Sequence, residues 1–323
     1  MDIRGIFHII CDLLLVMGMA VVNITEAVVL RIIPRRYRSK SVKGEVALIT
    51  GGAGGIGKII AAKLANLGCN VVIWDINKVG IEQTVAEIRQ GGGKCWGYYC
   101  DISDRKCIYR NAKSVQVDVG NVTILINNAG YIYGDTLLKI PDDEIERTFN
   151  VNILSHYWTT KAFLKDMIKD NHGHIVTVAS VAGLLGTYNC TDYSATKFAT
   201  VGFHESLFSE LKTHGYDGIQ GLLVCPYFIN TGMFPGVKPR LMSTLEPEYV
   251  AEEIVSGILT NRMLIILPSS IRWLLLLKHL LPVKMCWAMM YHVARGPQTM
   301  MMLARKHTHL PETKSDDVSQ VQE

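Results

Sequence analysis

The sequence has few of the features that mark a secreted, metal-binding or nucleic-acid-binding protein. None of its eight cysteines forms a C-x-x-C pair, so the sequence predicts reduced thiols rather than a disulfide framework. Cys95, Cys100 and Cys107 lack zinc spacing and no histidine pair follows them, so no metal site is predicted. The net charge is only +4, with no basic stripe interleaved with aromatic residues, and we expect no nucleic-acid partner.

What the chain has instead is apolar sequence gathered in two places, residues 6–33 and 263–304. The first segment is long enough to span a bilayer, which takes about 20 apolar residues. Asp12 and Glu26 interrupt it, and its longest stretch without charge runs from Leu13 to Thr25. A signal anchor or shallow hairpin, an amphipathic surface helix and a cleaved signal peptide are the open readings, although no small-residue cleavage site is present.

A basic cluster directly follows this first segment. Its members are Arg31, Arg35, Arg36, Arg38, Lys40 and Lys43. By the positive-inside rule, such a cluster places the following domain in the cytosol, and the lack of a disulfide pattern agrees. We therefore expect residues 1–42 to form a membrane anchor with a basic flank.

Short apolar runs then alternate with helical periodicities. The predicted strands are Val46–Thr50, Val71–Trp74, Trp96–Cys100, Val122–Ile126, His174–Ala179, Gly221–Cys225 and Leu264–Leu267. The predicted helices are Ile56–Leu67, Ile81–Gln90, Arg105–Val117, Asp142–Ile168 and Tyr193–Leu211. Near-continuous apolar strands separated by helices are typical of a parallel sheet covered on both faces. Residues 43–268 are thus predicted to be a single α/β domain, a Rossmann-type doubly wound sheet.

The second apolar region continues beyond the last predicted strand, over residues 269–304. It mixes Arg272, Lys278 and Lys284 with leucine, tryptophan and methionine, a composition that suits a helix lying at a membrane interface. A lid over a substrate pocket and a dimer-contact helix are the alternatives. Residues 305–323 are polar and predicted to be a disordered tail.

A glycine-rich turn, Thr50–Gly57, lies between the first strand and the first helix. Glycines there let the backbone approach a pyrophosphate at the helix N-terminus, and Gly51, Gly55, Ile56 and Gly57 are the predicted cofactor contacts. Asp75 ends the second strand, where a carboxylate binds ribose hydroxyls and repels a 2′-phosphate. The turn itself holds no arginine or lysine, so the sequence favours NAD over NADP, although Lys58 and Lys78 lie nearby.

Tyr193 and Lys197 are spaced i and i+4, on one face of a predicted helix. A phenol is a poor base, since its ordinary pKa is near 10, and a nearby ammonium stabilises the phenolate. Ser180 follows a buried strand and precedes Tyr193 by 13 residues. The three side chains together predict proton transfer to or from an alcohol oxygen.

These motifs resemble the short-chain dehydrogenase/reductase family. The glycine-rich turn, Asn127-Asn128-Ala129-Gly130, Ser180, the Tyr193/Lys197 pair and Ile229-Asn230-Thr231-Gly232 after Pro226 stand in its order and spacing, over about residues 43–261. The anchor, the end of the second strand and the 225–233 segment resemble its membrane-bound retinol dehydrogenase and 17β-hydroxysteroid dehydrogenase subgroup, in particular the epidermal retinol dehydrogenase branch.

The resemblance implies further site residues. Asn152 completes the catalytic set, holding a water in a proton relay to the lysine, and Asn150 is its nearest competitor. The other implied cofactor contacts, beside the ribose-binding Lys197 and the catalytic Tyr193, are Asp101, Asn127, Ala129, Pro226, Ile229 and Thr231. The family often has two serines where this chain has Ala179-Ser180; the serine with the catalytic spacing is retained.

The resemblance also implies an activity, namely NAD-dependent interconversion of a lipophilic alcohol and its carbonyl at the endoplasmic reticulum membrane or on lipid droplets. The segment 227–248 is apolar and lies where substrate lids occur in this family, which favours a lipophilic alcohol. The subgroup resemblance implies retinol, with a 17β-hydroxysteroid or another lipid alcohol as alternatives. A homodimer is expected by resemblance. The competing hypothesis is a non-catalytic membrane scaffold, which should have lost part of the catalytic set.

Overall fold

The computed structural model describes residues 3–303, apart from the side chains of Ile3, Ala27 and Arg31. The predicted tail, 305–323, lies outside these residues. The strands are β1 (Val46–Thr50), β2 (Asn70–Asp75), β3 (Lys94–Tyr99), β4 (Ile124–Asn127), β5 (Gly173–Val178), β6 (Ile219–Pro226) and β7 (Leu264–Leu267). They form one parallel sheet in the order β3-β2-β1-β4-β5-β6-β7. The predicted Rossmann-type sheet is confirmed.

Helices cover both faces of the sheet. Those of the α/β domain are α2 (Gly55–Asn66), α3 (Lys78–Gln90), α4 (Arg105–Asp118), α5 (Asp142–Phe149), α6 (Ser155–Asp170), α7 (Thr191–Thr213) and α8 (Pro247–Leu259). Alternate strand residues point to opposite faces. Ile49 and Ile73 pack with α2, α3 and α8, whereas Leu48 and Trp74 pack with α4, α6 and α7. Burial on both faces explains why the strands are apolar at successive positions.

Two helical predictions differ from the structure. The predicted helix Asp142–Ile168 is interrupted by a π-helical turn, Asn150–Leu154, that separates α5 from α6. Helix α8 was not predicted, although Pro247 at its first turn and the buried Val250, Ile254 and Ile258 are the usual signals of an amphipathic helix.

The N-terminal segment is one continuous helix, α1 (Ile3–Ile32), rather than a hairpin. Within it, Arg4–Leu30 is long and apolar enough to cross a membrane and is unburied, which makes it a candidate anchor. The basic flank then docks on α8, where Glu253 accepts from Arg35 and Arg262 at 2.7 Å each. The flank therefore joins the candidate anchor to the edge of the sheet where the parallel strands begin.

The C-terminal extension (residues 269–303) folds over the opposite edge, where the strands end. It comprises α9 (Ile271–Leu280), α10 (Val283–Ala288), a π-helical turn (Met289–Val293) and α11 (Gly296–Met301). Lys278 Nζ donates to the Leu184 carbonyl (2.7 Å), and Arg240 Nη1 lies 3.4 Å from the His292 carbonyl. These contacts hold the extension against the α/β domain.

Candidate active site

The turn between β1 and α2 is shaped by glycines. Gly51 and Gly55 have φ of +68° and +50°, a region that side chains rarely adopt. A methyl group on Gly57 would lie 2.1 Å from the Gly51 carbonyl oxygen, so the helix approaches the turn only because Gly57 has no side chain. Thr50 Oγ1 accepts from the Asn128 and Ala129 amides at 3.0 and 3.1 Å, which joins the turn to the end of β4.

Two carboxylates stand beside this turn. Asp75 Oδ2 accepts from the Ala53 amide and its Oδ1 from the Asn77 amide, each at 3.0 Å. Asp101 Oδ1 accepts from the Ser103 amide (2.9 Å) and hydroxyl (2.7 Å). Both side chains are thus held at the carboxyl ends of their strands, where ligands of open α/β sheets bind.

A cavity of about 790 Å³ lies at the carboxyl ends of the strands. Most of the sequence-predicted site residues line it, namely Gly51, Gly55, Ile56, Asp75, Asp101, Ala129, Ser180, Tyr193, Lys197, Pro226, Ile229 and Thr231. The fold therefore brings residues from seven places in the chain to one space.

Three predicted residues do not line the cavity. Gly57 lies behind the turn as a packing position. The Asn127 side chain points into the core, where its Oδ1 accepts from Thr159 Oγ1 at 2.7 Å, while the neighbouring Asn128 lines the cavity. Asn152 is fully buried behind Gly130 and reaches the site only through its neighbours.

Asn152 sits in the π-helical turn that interrupts the predicted helix. Its Oδ1 accepts from the Tyr131 amide (2.7 Å), and its Nδ2 donates to the Tyr131 carbonyl (2.8 Å) and to Thr196 Oγ1 (3.1 Å). Thr200 Oγ1 donates to the Asn152 carbonyl at 3.2 Å. Asn152 therefore fixes the loop after β4 against α7, and π-turns of this kind occur frequently at functional sites.

Tyr193, Ser180 and Lys197 meet in the middle of the cavity. Burial raises the pKa of Tyr193 above its ordinary value, and a hydrogen bond with Ser180 offsets this only in part. The Lys197 ammonium donates to the Val178 carbonyl (3.0 Å) and lies 5.7 Å from the centre of the Tyr193 ring. Burial is therefore the largest influence on the pKa of Tyr193. Burial likewise lowers the pKa of Lys197 to about 8.

The other end of the cavity is apolar. Phe234 packs edge-on against Tyr193, with ring centres 6.1 Å apart, and Phe228 packs on Phe234 at 5.0 Å. Met300 and Leu303 of the C-terminal extension pack into the same cluster. This part of the C-terminal extension thus covers the apolar end of the cavity.

Sequence reasoning missed several residues that line this apolar end. They are Ile132, Leu185, Thr187, Ile271, Leu274, Met290, Thr299, Met300 and Leu303. No local motif marks them, because only tertiary packing brings them to the cavity. The predicted lid residues Phe228, Met233, Phe234, Leu241 and Met242 do line it, and Val237 is buried beside it.

The polar end has the features that a dinucleotide requires. The N-cap of α2, Gly54, makes no side-chain capping bond, and the first turn of the helix has no acidic residue. A methyl group on Gly54 would meet no protein atom within 4 Å, so its backbone faces open space. Free amides at the N-terminus of a 12-residue helix suit a pyrophosphate, and Asp75 stands where ribose hydroxyls would follow.

A family model described as short chain dehydrogenase matches residues 45–241. The chain belongs to the short-chain dehydrogenase family. Estradiol 17-beta-dehydrogenase 11 of Macaca fascicularis is 44% identical over 274 residues, which cover 85% of this chain and 91% of that protein. Epidermal retinol dehydrogenase 2 of Homo sapiens is 42% identical over 276 residues, covering 84% and 89%. A solved short-chain dehydrogenase/reductase from Burkholderia phymatum, in complex with NAD, matches with a TM-score of 0.69 at 27% identity, covering 74% of this chain and 94% of that chain.

Family membership confirms two of the predictions. The chain is an alcohol dehydrogenase of the retinol and hydroxysteroid dehydrogenase subgroup, and its cofactor is a nicotinamide dinucleotide, either NAD or NADP. We therefore call the end of the cavity at the glycine turn the dinucleotide end and the end under the C-terminal extension the substrate end.

Proposed function

We propose that this short-chain dehydrogenase oxidises a lipophilic alcohol with NAD, and that all-trans-retinol is its substrate. The observation that carries the proposal is the placement of Ser180, Tyr193 and Lys197 between a dinucleotide-shaped end and an apolar end of one cavity. An alcohol bound at the apolar end presents its oxygen to side chains that can hold it and take its proton.

The preference for NAD rests on the charges around the dinucleotide end. Asp75 is held at the rim by two backbone amides, where its carboxylate accepts ribose hydroxyls and repels a 2′-phosphate. Lys58 pairs with Glu87 at 2.8 Å and does not line the cavity. Lys78 lies over the Tyr99 ring, 5.1 Å from its centre. Neither lysine lines the cavity that would receive the extra phosphate of NADP.

The catalytic roles follow from the geometry. Bound NAD supplies a hydride acceptor and a positive charge at the reacting end of the cavity. Ser180 orients the substrate oxygen, and Tyr193 takes its proton as the phenolate. Lys197, whose ammonium donates to the Val178 carbonyl, lies over the Tyr193 ring. It is the group that passes the proton from Tyr193 onward. Asn152 acts as a positioning residue that keeps the loop after β4 beside the lysine.

Retinol fits the apolar end because it has one polar group. Its hydroxyl meets Ser180 and Tyr193, while its hydrocarbon body lies along Phe234, Met300 and similar side chains. Burying a second polar group without a hydrogen-bond partner costs about 1–3 kcal/mol. A substrate with a single oxygen avoids this cost.

A 17β-hydroxysteroid is the second candidate, since relatives named estradiol 17-beta-dehydrogenase 11 are 44–46% identical to this chain. A steroid has another oxygen at its far end. Thr299, a buried hydroxyl of the C-terminal extension, lines the cavity and could receive it. Thr299→Val should therefore impair a steroid substrate and leave retinol oxidation unchanged.

The decisive experiment measures retinaldehyde formed by membranes that contain the full chain, with all-trans-retinol and either NAD or NADP. We expect product with NAD and a loss of at least about 100-fold in Tyr193→Phe. Turnover of steroids but not retinol would overturn the retinol proposal and keep the site. No turnover of either, despite NAD binding, would favour the non-catalytic scaffold.

The location follows from the candidate anchor. We place residues 1–42 in and beside the endoplasmic reticulum membrane, or on lipid droplets, with the 43–268 domain in the cytosol. Tyr157 and Phe198, on α6 and α7, are each 42% exposed and offer a surface for a homodimer. Protease added outside sealed microsomes should digest the catalytic domain; protection of the domain would contradict this orientation.

A further inference from the structure

The C-terminal extension has an unusual outer face. Eleven large apolar side chains are exposed between residues 271 and 302, against sixteen in the far longer 43–268 domain. Trp273 and Trp287 are 71% and 72% exposed, and Leu280 is 69% exposed. Contiguous exposed apolar surface of this kind marks a site of contact with another molecule or with lipid.

The charge of this face distinguishes contact with a second copy of the chain from contact with lipid. No aspartate or glutamate occurs anywhere between Glu253 and Glu312. Arg272, Lys284 and Arg295 are exposed among the apolar residues, and no ion pair involves them in the described part of the chain. A face that carries only positive charge repels a second copy of itself, whereas it complements the phosphates of a lipid surface.

The same short helices also form the inner wall of the substrate end. Ile271 and Leu274 of α9 line the cavity, while Trp273 and Leu277 on the same helix point outward. In α11, Met300 lines the cavity and the adjacent Met301 is 60% exposed. Only one layer of helix therefore separates the substrate end from the outer apolar face.

We propose that the outer face of the C-terminal extension is a second lipid-contacting surface, and that the substrate enters the cavity from the lipid through this layer. Tryptophan and exposed leucine would enter the interfacial region, with Arg272 and Lys284 at the phosphates. The lipid contact stands without the proposed function. The entry route rests on it, because it presupposes a substrate dissolved in the membrane.

The tryptophans allow a direct test of lipid contact. The chain has five, Trp74, Trp96, Trp158, Trp273 and Trp287, and none lies in α1. The full chain is reconstituted in phosphatidylcholine/phosphatidylserine vesicles with brominated acyl chains, which quench tryptophan only on contact. We expect quenching in the natural chain and in Trp96→Phe/Trp158→Phe, and its loss in Trp273→Phe/Trp287→Phe.

Two results would overturn the lipid contact. One is unquenched fluorescence of the natural chain when α1 has anchored it to the vesicles. The other is cross-linking of two copies through the extension, which would make this face a dimer interface. Neither measurement depends on turnover, so a failure here is distinguishable from a failure of the proposed function.

The entry route is tested by kinetics. Trp273→Glu/Leu280→Glu is compared with Val117→Glu/Leu138→Glu, which places the same charges on exposed positions of the α/β domain. KM for retinol supplied in vesicles should rise at least about tenfold only in the first variant, because charge at these two positions removes their apolar contact with lipid. Its KM for NAD, supplied in water, should not change. Equal KM values for retinol in both variants would refute entry through this layer, and rescue by Trp273→Phe/Leu280→Met would exclude a folding defect.

Discussion

The dinucleotide end and the substrate end of the cavity are built in different ways. Gly51, Gly55, Asp75 and Asp101 all lie within one 51-residue stretch, and backbone turns and amide hydrogen bonds hold them. The walls of the substrate end come from the loop after β4, the segment after β6 and the last described helix, and they are held by apolar packing. The first end is therefore specified by local geometry and the second by tertiary contacts.

This difference predicts two kinds of response to substitution. A substitution at a position defined by backbone geometry meets rigid neighbours, so even a small change of side chain strongly lowers binding or stability. A substitution among packed apolar side chains meets neighbours that repack, so it lowers binding or stability only moderately. Lys197, which lies between the two ends, belongs to neither class because its role is electrostatic.

The largest effect is expected at Lys197. Lys197→Met removes the ammonium behind Tyr193, and kcat should fall about 10³-fold. Between pH 8 and 10.5 the unfolded chain holds more protons at this group than the folded chain, since burial lowers its pKa to about 8. The group therefore opposes folding by up to about 3 kcal/mol below pH 8, and this penalty disappears as pH approaches 10.5.

At pH 7 the same variant should therefore be more stable to unfolding than the natural chain, by about 1–2 kcal/mol. The gain is smaller than the full penalty because the Val178 carbonyl loses its hydrogen-bond donor. Thermal unfolding in detergent at pH 7 and pH 10 measures this, with exposed Lys165→Met as the control. A variant that is equally destabilised at both pH values would show that burying the Lys197 ammonium does not lower the stability of the fold.

The next effect concerns the rim of the dinucleotide end. Asp75→Ser removes a carboxylate that repels a 2′-phosphate, and the ratio of kcat/KM with NADP to that with NAD should rise about 100-fold. Steady-state kinetics with both cofactors measure it. Asp142→Ser, an exposed carboxylate on α5, is the control. An unchanged ratio would show that Asp75 does not cause the preference for NAD.

Two glycines of the same turn should respond differently. A methyl group on Gly54 meets only open space, so Gly54→Ala should leave the melting temperature unchanged and weaken NAD binding about tenfold. A methyl group on Gly57 meets the Gly51 carbonyl, so Gly57→Ala should also destabilise the fold by about 1–3 kcal/mol. Calorimetric NAD titration and thermal unfolding separate the two outcomes. Equal melting temperatures for both variants would contradict the packing role of Gly57.

The smallest effect is expected at the substrate end. Phe234→Ala removes an edge-on ring contact with Tyr193, and such contacts are worth about 0.5–1.5 kcal/mol, so KM for retinol should rise about fivefold. The dissociation constant for NAD should not change. Phe149→Ala, on the outer side of α5, is the control. A loss of NAD binding would mean that side chains of the substrate end also hold the dinucleotide end in place.

The strands, the dinucleotide end and the catalytic side chains were accessible from the sequence because each rests on short-range rules. Buried parallel strands are apolar throughout, a strand followed by glycines and a helix forms a phosphate-binding turn, and Tyr193 and Lys197 share a face through helical spacing. Even so, the predicted helix Asp142–Ile168 contains a π-helical turn. The reason is tertiary, since the turn aligns Asn152 with Tyr131 and Thr196.

The sequence by itself thus determined the sheet and the cofactor class, and it predicted the proton-transfer set. Tertiary structure alone decided that Asn127 turns into the core, that burial is the largest influence on the pKa of Tyr193, and that Met300 reaches the cavity. These outcomes depend on which side chains meet across long stretches of chain and on how much water that meeting excludes, and neither quantity is encoded in local spacing.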